Sequence, residues 1–191
     1  MVWWLSSWPS SADGAQPRFS DAARQGTLIM STLKDAPASA IILGFGGLIP
    51  FVGGAIALAL GGPLALQAAV GLPVYAAVIL SFLAGSRWGG ELVLHGDDPR
   101  PGILILAIAL SLSGWLAVII QVWNGPNLPF NGELAGWVLL MAGFLVQYLW
   151  DRSAIRGATF PGWYDPLRLI LTVGAVLSLF AAAWIRTGFA F

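Results

Sequence analysis

Residues Ala38 to Leu60 read ASAIILGFGGLIPFVGGAIALAL, a continuous stretch without one charged side chain. A helix of about 20 mostly apolar residues crosses a hydrocarbon core of roughly 30 Å, so this stretch by itself specifies a membrane span. Four further runs of the same kind follow, from Pro73 to Leu94, Gly102 to Trp123, Leu134 to Trp150 and Leu167 to Ile185. The breaks between them carry helix-stopping chemistry: Gly61-Gly62-Pro63, Gly71-Leu72-Pro73, Gly96 to Pro101, Asn124 to Pro129 and Phe160-Pro161-Gly162. Apolar residues occupy every face of each run instead of alternating, which selects helices over the strands of a membrane barrel. The fold class read from the sequence is therefore an all-α integral membrane protein, a five-transmembrane-helix bundle.

Composition agrees. Of 191 residues, 58% are hydrophobic and only 9% charged, whereas soluble chains carry about 25% charged residues. The lipid bilayer is thus the first partner. Nine basic residues balance nine acidic ones with no basic cluster, which excludes nucleic acid as a partner because its binding rests on concentrated Lys and Arg. Cysteine is absent, so the chain has no disulfide, no Cys-ligated metal and no thiol nucleophile. The single His, His95, cannot hold a haem or metal alone, and the adjacent Asp97 and Asp98 before Pro99 read as a solvated turn. No serine elbow, phosphate loop, metalloprotease helix or dinucleotide fingerprint is present. The reading is no metal, no cofactor and no catalytic residues, hence not an enzyme.

Basic residues set the expected orientation. Arg18, Arg24 and Lys34 precede the first span, Arg100 lies in the second loop, and Arg152 and Arg156 in the fourth, while the first and third loops have none. Positive residues stay on the cytoplasmic side, which predicts a cytoplasmic N-terminus and an outside C-terminus. Trp88, Trp150 and Trp163 then mark the inner interface, and Trp123, Trp137 and Trp184 the outer one. The chain divides into an N-terminal cytoplasmic segment, 1–37, weakly amphipathic or disordered, and a transmembrane domain, 38–191. The first segment has neither the apolar core of a secretory signal nor the acid-poor composition of a transit peptide. Its Trp3, Trp4 and Trp8 are candidate partner contacts.

Three places in the spans are candidates for a structural or ligand site. In the first span, Pro50 removes a backbone donor and frees the carbonyl of Gly46 within a glycine-rich stretch, so a kink is expected there. Interrupted spans of this kind build transporter sites, though they also serve close helix packing. In the second span, Arg87 lies about 14 residues after Pro73, or roughly 21 Å along the core, with Glu91 one turn on; the pair reads as a salt bridge. Gly85 and Gly89, and Ser86 and Gly90, are spaced for close helix contact. The third is the set of polar residues gathered at the same pole, chiefly Gln147 and Asp151 in the fourth span and Asp165 and Arg168 at the start of the fifth. There Asp165 complements the helix dipole, and Arg168 has Asp151, Glu91 or a lipid phosphate as possible partners.

These residues carry a resemblance. Gly44 to Phe51 resembles the Gly-Leu-Ile-Pro-Phe motif in the first span of the transmembrane protein 69-like family, whose function is unassigned. Ile79 to Gly89 (ILSFLAGSRWG) resembles its second-span block, and Trp163 to Thr172 (WYDPLRLILT) its lead-in to the last span. The similarity extends over about residues 38 to 185. It implies a five-helix protein of the bacterial or mitochondrial inner membrane, here a multi-pass protein of the bacterial inner membrane, and it implies no reaction. The functional expectation is a non-catalytic accessory subunit or assembly factor of a larger energy-transducing complex, respiratory or photosynthetic, with other membrane subunits as partners. The alternative is a small-solute, lipid or proton pathway lined by the Pro50 region and the Arg87/Glu91 pair.

Overall fold

The computed structural model describes residues 35–123, 130–156 and 160–188. Among these, five helices follow one another: α1 (Ala38–Leu60), α2 (Gly62–Leu94), α3 (Pro101–Val122), α4 (Gly132–Arg156) and α5 (Tyr164–Thr187). All five are long and apolar enough to cross a membrane. Each helix packs on its neighbours in chain order and α5 returns to α1, which closes a ring; α2 and α4 also meet across its middle. Trp3, Trp4, Trp8 and the rest of the N-terminal segment up to residue 34 lie outside the described residues, as does the loop 124–129.

The expected spans are present, with two boundaries corrected. The Gly71-Leu72-Pro73 break does not stop a helix: α2 begins at Gly62 and runs through Pro73 for 33 residues. One lost backbone bond is tolerated in a membrane helix. Leu72 and Pro73 are both buried, and Leu72 packs against Gly54 of α1. The reversal from α1 to α2 instead falls on Gly61 and Gly62, with φ of 74° and 73°, a region that glycine adopts without the cost a Cβ would impose. The depth of Arg87 counted from Pro73 therefore no longer applies, because Arg87 lies in the last two turns of a longer helix. At its start, α4 is capped by Asn131, whose side-chain oxygen accepts from Leu134 N–H at 3.0 Å. It continues past Trp150, so Asp151 and Arg152 are helical residues and not part of a loop.

The core is one apolar cluster drawn from all five helices. Trp137, Leu140 and Phe144 of α4, Leu80 of α2 and Leu179 of α5 fill its centre, and Phe51 of α1 meets Phe144 edge-on at 5.6 Å. On α5 the buried positions Arg168, Thr172, Ala175, Leu179 and Ala182 recur every three or four residues and form one inward face. Trp137 is fully buried here, which corrects its assignment to the interfacial belt; Trp123 and Trp184 are exposed. Outward-facing residues such as Ile42, Ile49, Leu66, Val93 and Val122 are apolar and exposed, as a lipid solvent requires.

Close approach comes from glycines other than those expected. A Cβ on Gly114 of α3 would lie 3.2 Å from the Ala77 backbone, whereas Gly85, Gly89 and Gly90 have nothing within 4 Å. The Gly85/Gly89 contact is therefore not made within this chain. Pro50 and Gly46 face outward on α1, which is helical throughout. The neighbouring carbonyl, that of Gly47, accepts the Tyr75 hydroxyl from α2 at 2.8 Å. Tyr75→Phe is expected to lower stability by about 0.5–1.5 kcal/mol, the usual worth of one such bond, measurable by thermal unfolding in detergent.

Candidate functional site

The polar side chains collect at the pole where α2 ends, α3 begins, α4 ends and α5 begins. Two clusters are distinct there. In the first, Glu91, only 3% exposed, accepts from Arg100 three times: from its backbone N–H at 2.9 Å, Nε at 2.8 Å and Nη2 at 2.6 Å. His95 Nδ1 lies 3.4 Å from the same carboxylate. The turn after α2 brings Arg100 back over Glu91, and the hydrogen bonds it gives to Glu91 raise the guanidinium's affinity for its proton. This bidentate geometry fixes the angle between α2 and α3.

The Arg87–Glu91 salt bridge is thus a reading the structure corrects. Arg87 and Glu91 share a helix face, but a second cation from the loop reaches the carboxylate with a geometry that one helical turn does not offer. Among the described residues no carboxylate lies within ion-pair distance of Arg87. Its guanidinium instead sits 4.6 Å over the Trp150 ring and 5.6 Å from that of Phe160, and its Nε is buried without a hydrogen-bond partner. Aromatic faces attract a cation through the ring quadrupole, which offsets part of the lost hydration.

In the second cluster Arg168 Nε donates to Asp151 Oδ2 at 2.9 Å, with both side chains 5% exposed or less. Gln147 Nε2 donates to the other oxygen of Asp151 at 3.0 Å and lies 3.4 Å from the Leu83 carbonyl of α2. Asp151 therefore ties α4 to α5 and, through Gln147, to α2. Of the partners open to Arg168 from the sequence, Asp151 is the one it takes. Tyr148 donates to Asp165 at 3.3 Å and Arg152 approaches it at 3.7 Å, closing the periphery.

Of the expected site residues, Asp151 and Arg168 are brought together and Arg87 lies over the adjoining Trp150; Glu91 is separated into its own cluster, and Gly46 and Pro50 are on the outer face of α1. Arg100 as the partner of Glu91 was not anticipated. The available signal was its place nine residues on, past a Gly-Asp-Asp-Pro turn. Thr172, buried at 2% exposure one turn after Arg168, was also not singled out. Among the described residues no group of three or more His, Cys, Asp or Glu is placed to hold a metal ion.

Five apolar spanning helices joined at one pole by buried ion pairs define a multi-pass integral membrane protein. The comparisons place it further. Residues 36–184 match the family described as a protein of unknown function, DUF3429, and the chain belongs to that family. It is similar to transmembrane protein 69 of Xenopus tropicalis, 35% identical over 152 residues that make up 78% of this chain and 55% of the relative. The matched stretch thus spans about half the relative's length. No solved structure matches the chain.

Proposed function

We propose that the chain is a non-catalytic accessory subunit or assembly factor of a larger energy-transducing complex, respiratory or photosynthetic, in a bacterial inner membrane. The observation that carries this reading is the unpartnered face of α2. Gly85 and Gly89, spaced one turn apart, have no atom within 4 Å of a Cβ placed on either, and Gly85 lines an apolar groove of about 190 Å³ with Trp88, Ala107 and Leu112. In lipid, helices associate through close backbone approach because no hydrophobic force drives them together. A second helix seated on this face would receive the contact that the chain leaves unmade. The inner-membrane setting is taken from the family resemblance, and the orientation from the Lys and Arg distribution.

The pathway alternative finds less support. The centre of the bundle between the two polar poles is closed by Trp137, Leu140, Phe144, Leu80 and Leu179, each 2% exposed or less. Water or an ion would have to displace close-packed apolar side chains there.

The test is isolation from membranes in a mild detergent, followed by native mass spectrometry. Co-migration in fixed ratio with defined respiratory or photosynthetic subunits is expected, and Gly85→Leu with Gly89→Leu should abolish it while leaving the thermal unfolding of the isolated chain within about 1 kcal/mol of wild type, because both positions face outward. Recovery of wild type as a lone monomer overturns the proposal.

A further inference from the structure

A cavity of about 160 Å³ lies among α1, α2, α4 and α5. Leu43 of α1 and Phe82 of α2 mark its mouth, 75% and 69% exposed, and Phe51, Phe144 and Ala175, each 3% exposed or less, mark its depth. Its wall is apolar apart from Arg168 and Thr172, one turn apart on α5. Both are more than nine-tenths buried, at 4% and 2% exposure, and each has a buried polar atom with no partner: Arg168 Nη2 and Thr172 Oγ1.

The Thr172 hydroxyl is unusual in this bundle. Ser86, Ser113, Ser153, Ser178 and Thr187 all donate to a carbonyl one turn back in their own helix, at 2.6 to 2.8 Å. Thr172 has the same option and does not take it. A buried donor without an acceptor costs about 1–3 kcal/mol, and here two such donors stand on the same cavity wall. They are complementary to an acceptor oxygen brought in from outside.

Charge and volume narrow the class of that acceptor. The Arg168 charge is already balanced by Asp151 at 2.9 Å, so the free N–H suits a neutral oxygen; an anion would have to compete with the carboxylate. An apolar cavity of about 150 Å³ holds one benzene-sized ring. The mouth between Leu43 and Phe82 lies on the apolar outer surface, where a hydrocarbon tail can continue into lipid.

We infer that this cavity is a binding site for the neutral carbonyl group of a membrane amphiphile. Arg168 Nη2 and Thr172 Oγ1 donate to the carbonyl oxygen, and the ring or chain that bears it packs against Phe51 and Phe144. A quinone with an isoprenoid or alkyl tail and a glycerolipid ester both present this oxygen, and the volume favours the quinone ring. The site belongs to the isolated chain, so the absence of a partner complex would leave it untouched.

The full chain is reconstituted in nanodiscs of dialkyl-ether phosphatidylcholine, which lacks ester carbonyls, and titrated with decylubiquinone. Saturable binding is expected, weakened on the order of fivefold to tenfold in Thr172→Val, which keeps the side-chain shape and removes the hydroxyl. Leu43→Trp, at an exposed position that does not enter the core, should weaken it similarly by narrowing the mouth. Displacement of the quinone by dioleoylglycerol at lower concentration, but not by its dialkyl-ether counterpart, assigns the same site to an ester lipid. The inference is overturned if neither carbonyl probe saturates, if Thr172→Val binds as tightly as wild type, or if decylbenzene, with a ring and tail but no acceptor, competes equally well.

Discussion

Replacing Asp151 by Leu is expected to destabilise the bundle by about 3–5 kcal/mol, the cost of removing one partner from a buried ion pair. The carboxylate is the point at which α4 holds Arg168 of α5 and, through Gln147, approaches α2. Without it Arg168 is a buried charge, 4% exposed, that has lost its counter-ion. Arg87 also lies in the field of Asp151, so the loss leaves two neighbouring guanidiniums with no carboxylate between them. The companion variant separates pairing from packing. Asp151→Leu with Arg168→Met removes both charges and should recover most of the loss, because an apolar pair of similar volume pays no desolvation. Unfolding of the single and double variants, followed by circular dichroism in a fixed detergent, checks this. Single and double variants of equal stability would mean that Asp151 and Arg168 do not depend on each other.

The same chemistry acts more weakly at Glu91. Its partner Arg100 is 56% exposed and can return to water when the carboxylate is removed. The two clusters therefore divide the work of holding the helices. The Asp151 cluster sits inside the helical packing, and the Glu91 cluster fastens the turn between α2 and α3 at its margin.

How far the sequence reveals this arrangement follows from the range of each interaction. Span number and the bounds of α1 are legible because apolar runs and helix-stopping glycines act locally: Ala38–Leu60 begins and ends where hydropathy and Gly61 place it. Pro73 misleads because its one lost hydrogen bond is outweighed by Leu72 and Pro73 packing inward, a tertiary effect. The Arg168–Asp151 pair could be anticipated as one of several options, since both lie at the same pole on consecutive spans. The Arg87–Glu91 pair fails for the complementary reason. Helical spacing supplies proximity, but a loop residue, Arg100, supplies better hydrogen-bond geometry. Trp137 fails likewise: Trp is a good interfacial anchor in general, and only packing reveals that this one fills the core. The cavity beside Thr172 could not be read at all, because it is a gap left by four helices meeting and no residue encodes it alone.

Glycine substitutions separate these close contacts from open space, and Gly136→Ala is expected to be the costliest of them, at about 1–3 kcal/mol of overpacking. The added methyl would lie 2.5 Å from the Ala117 carbonyl oxygen of α3 and against the Gln121 side chain. A backbone carbonyl cannot rotate aside, so α3 and α4 must separate, and the helix preference for Ala over Gly, about 1 kcal/mol, is not enough to offset that. Gly143→Ala also creates a contact, at 2.6 Å, but with the end of the Leu80 side chain, which can change rotamer; its cost should be smaller. At Gly46 a methyl meets nothing within 4 Å, so Gly46→Ala should be neutral or gain stability from helix preference alone. The expected order of melting temperatures is Gly46→Ala at or above wild type, then Gly143→Ala, then Gly136→Ala. A Gly136→Ala variant that melts with wild type would mean that α3 and α4 do not approach this closely, and with it the seating of Trp137 between them would have to be redrawn.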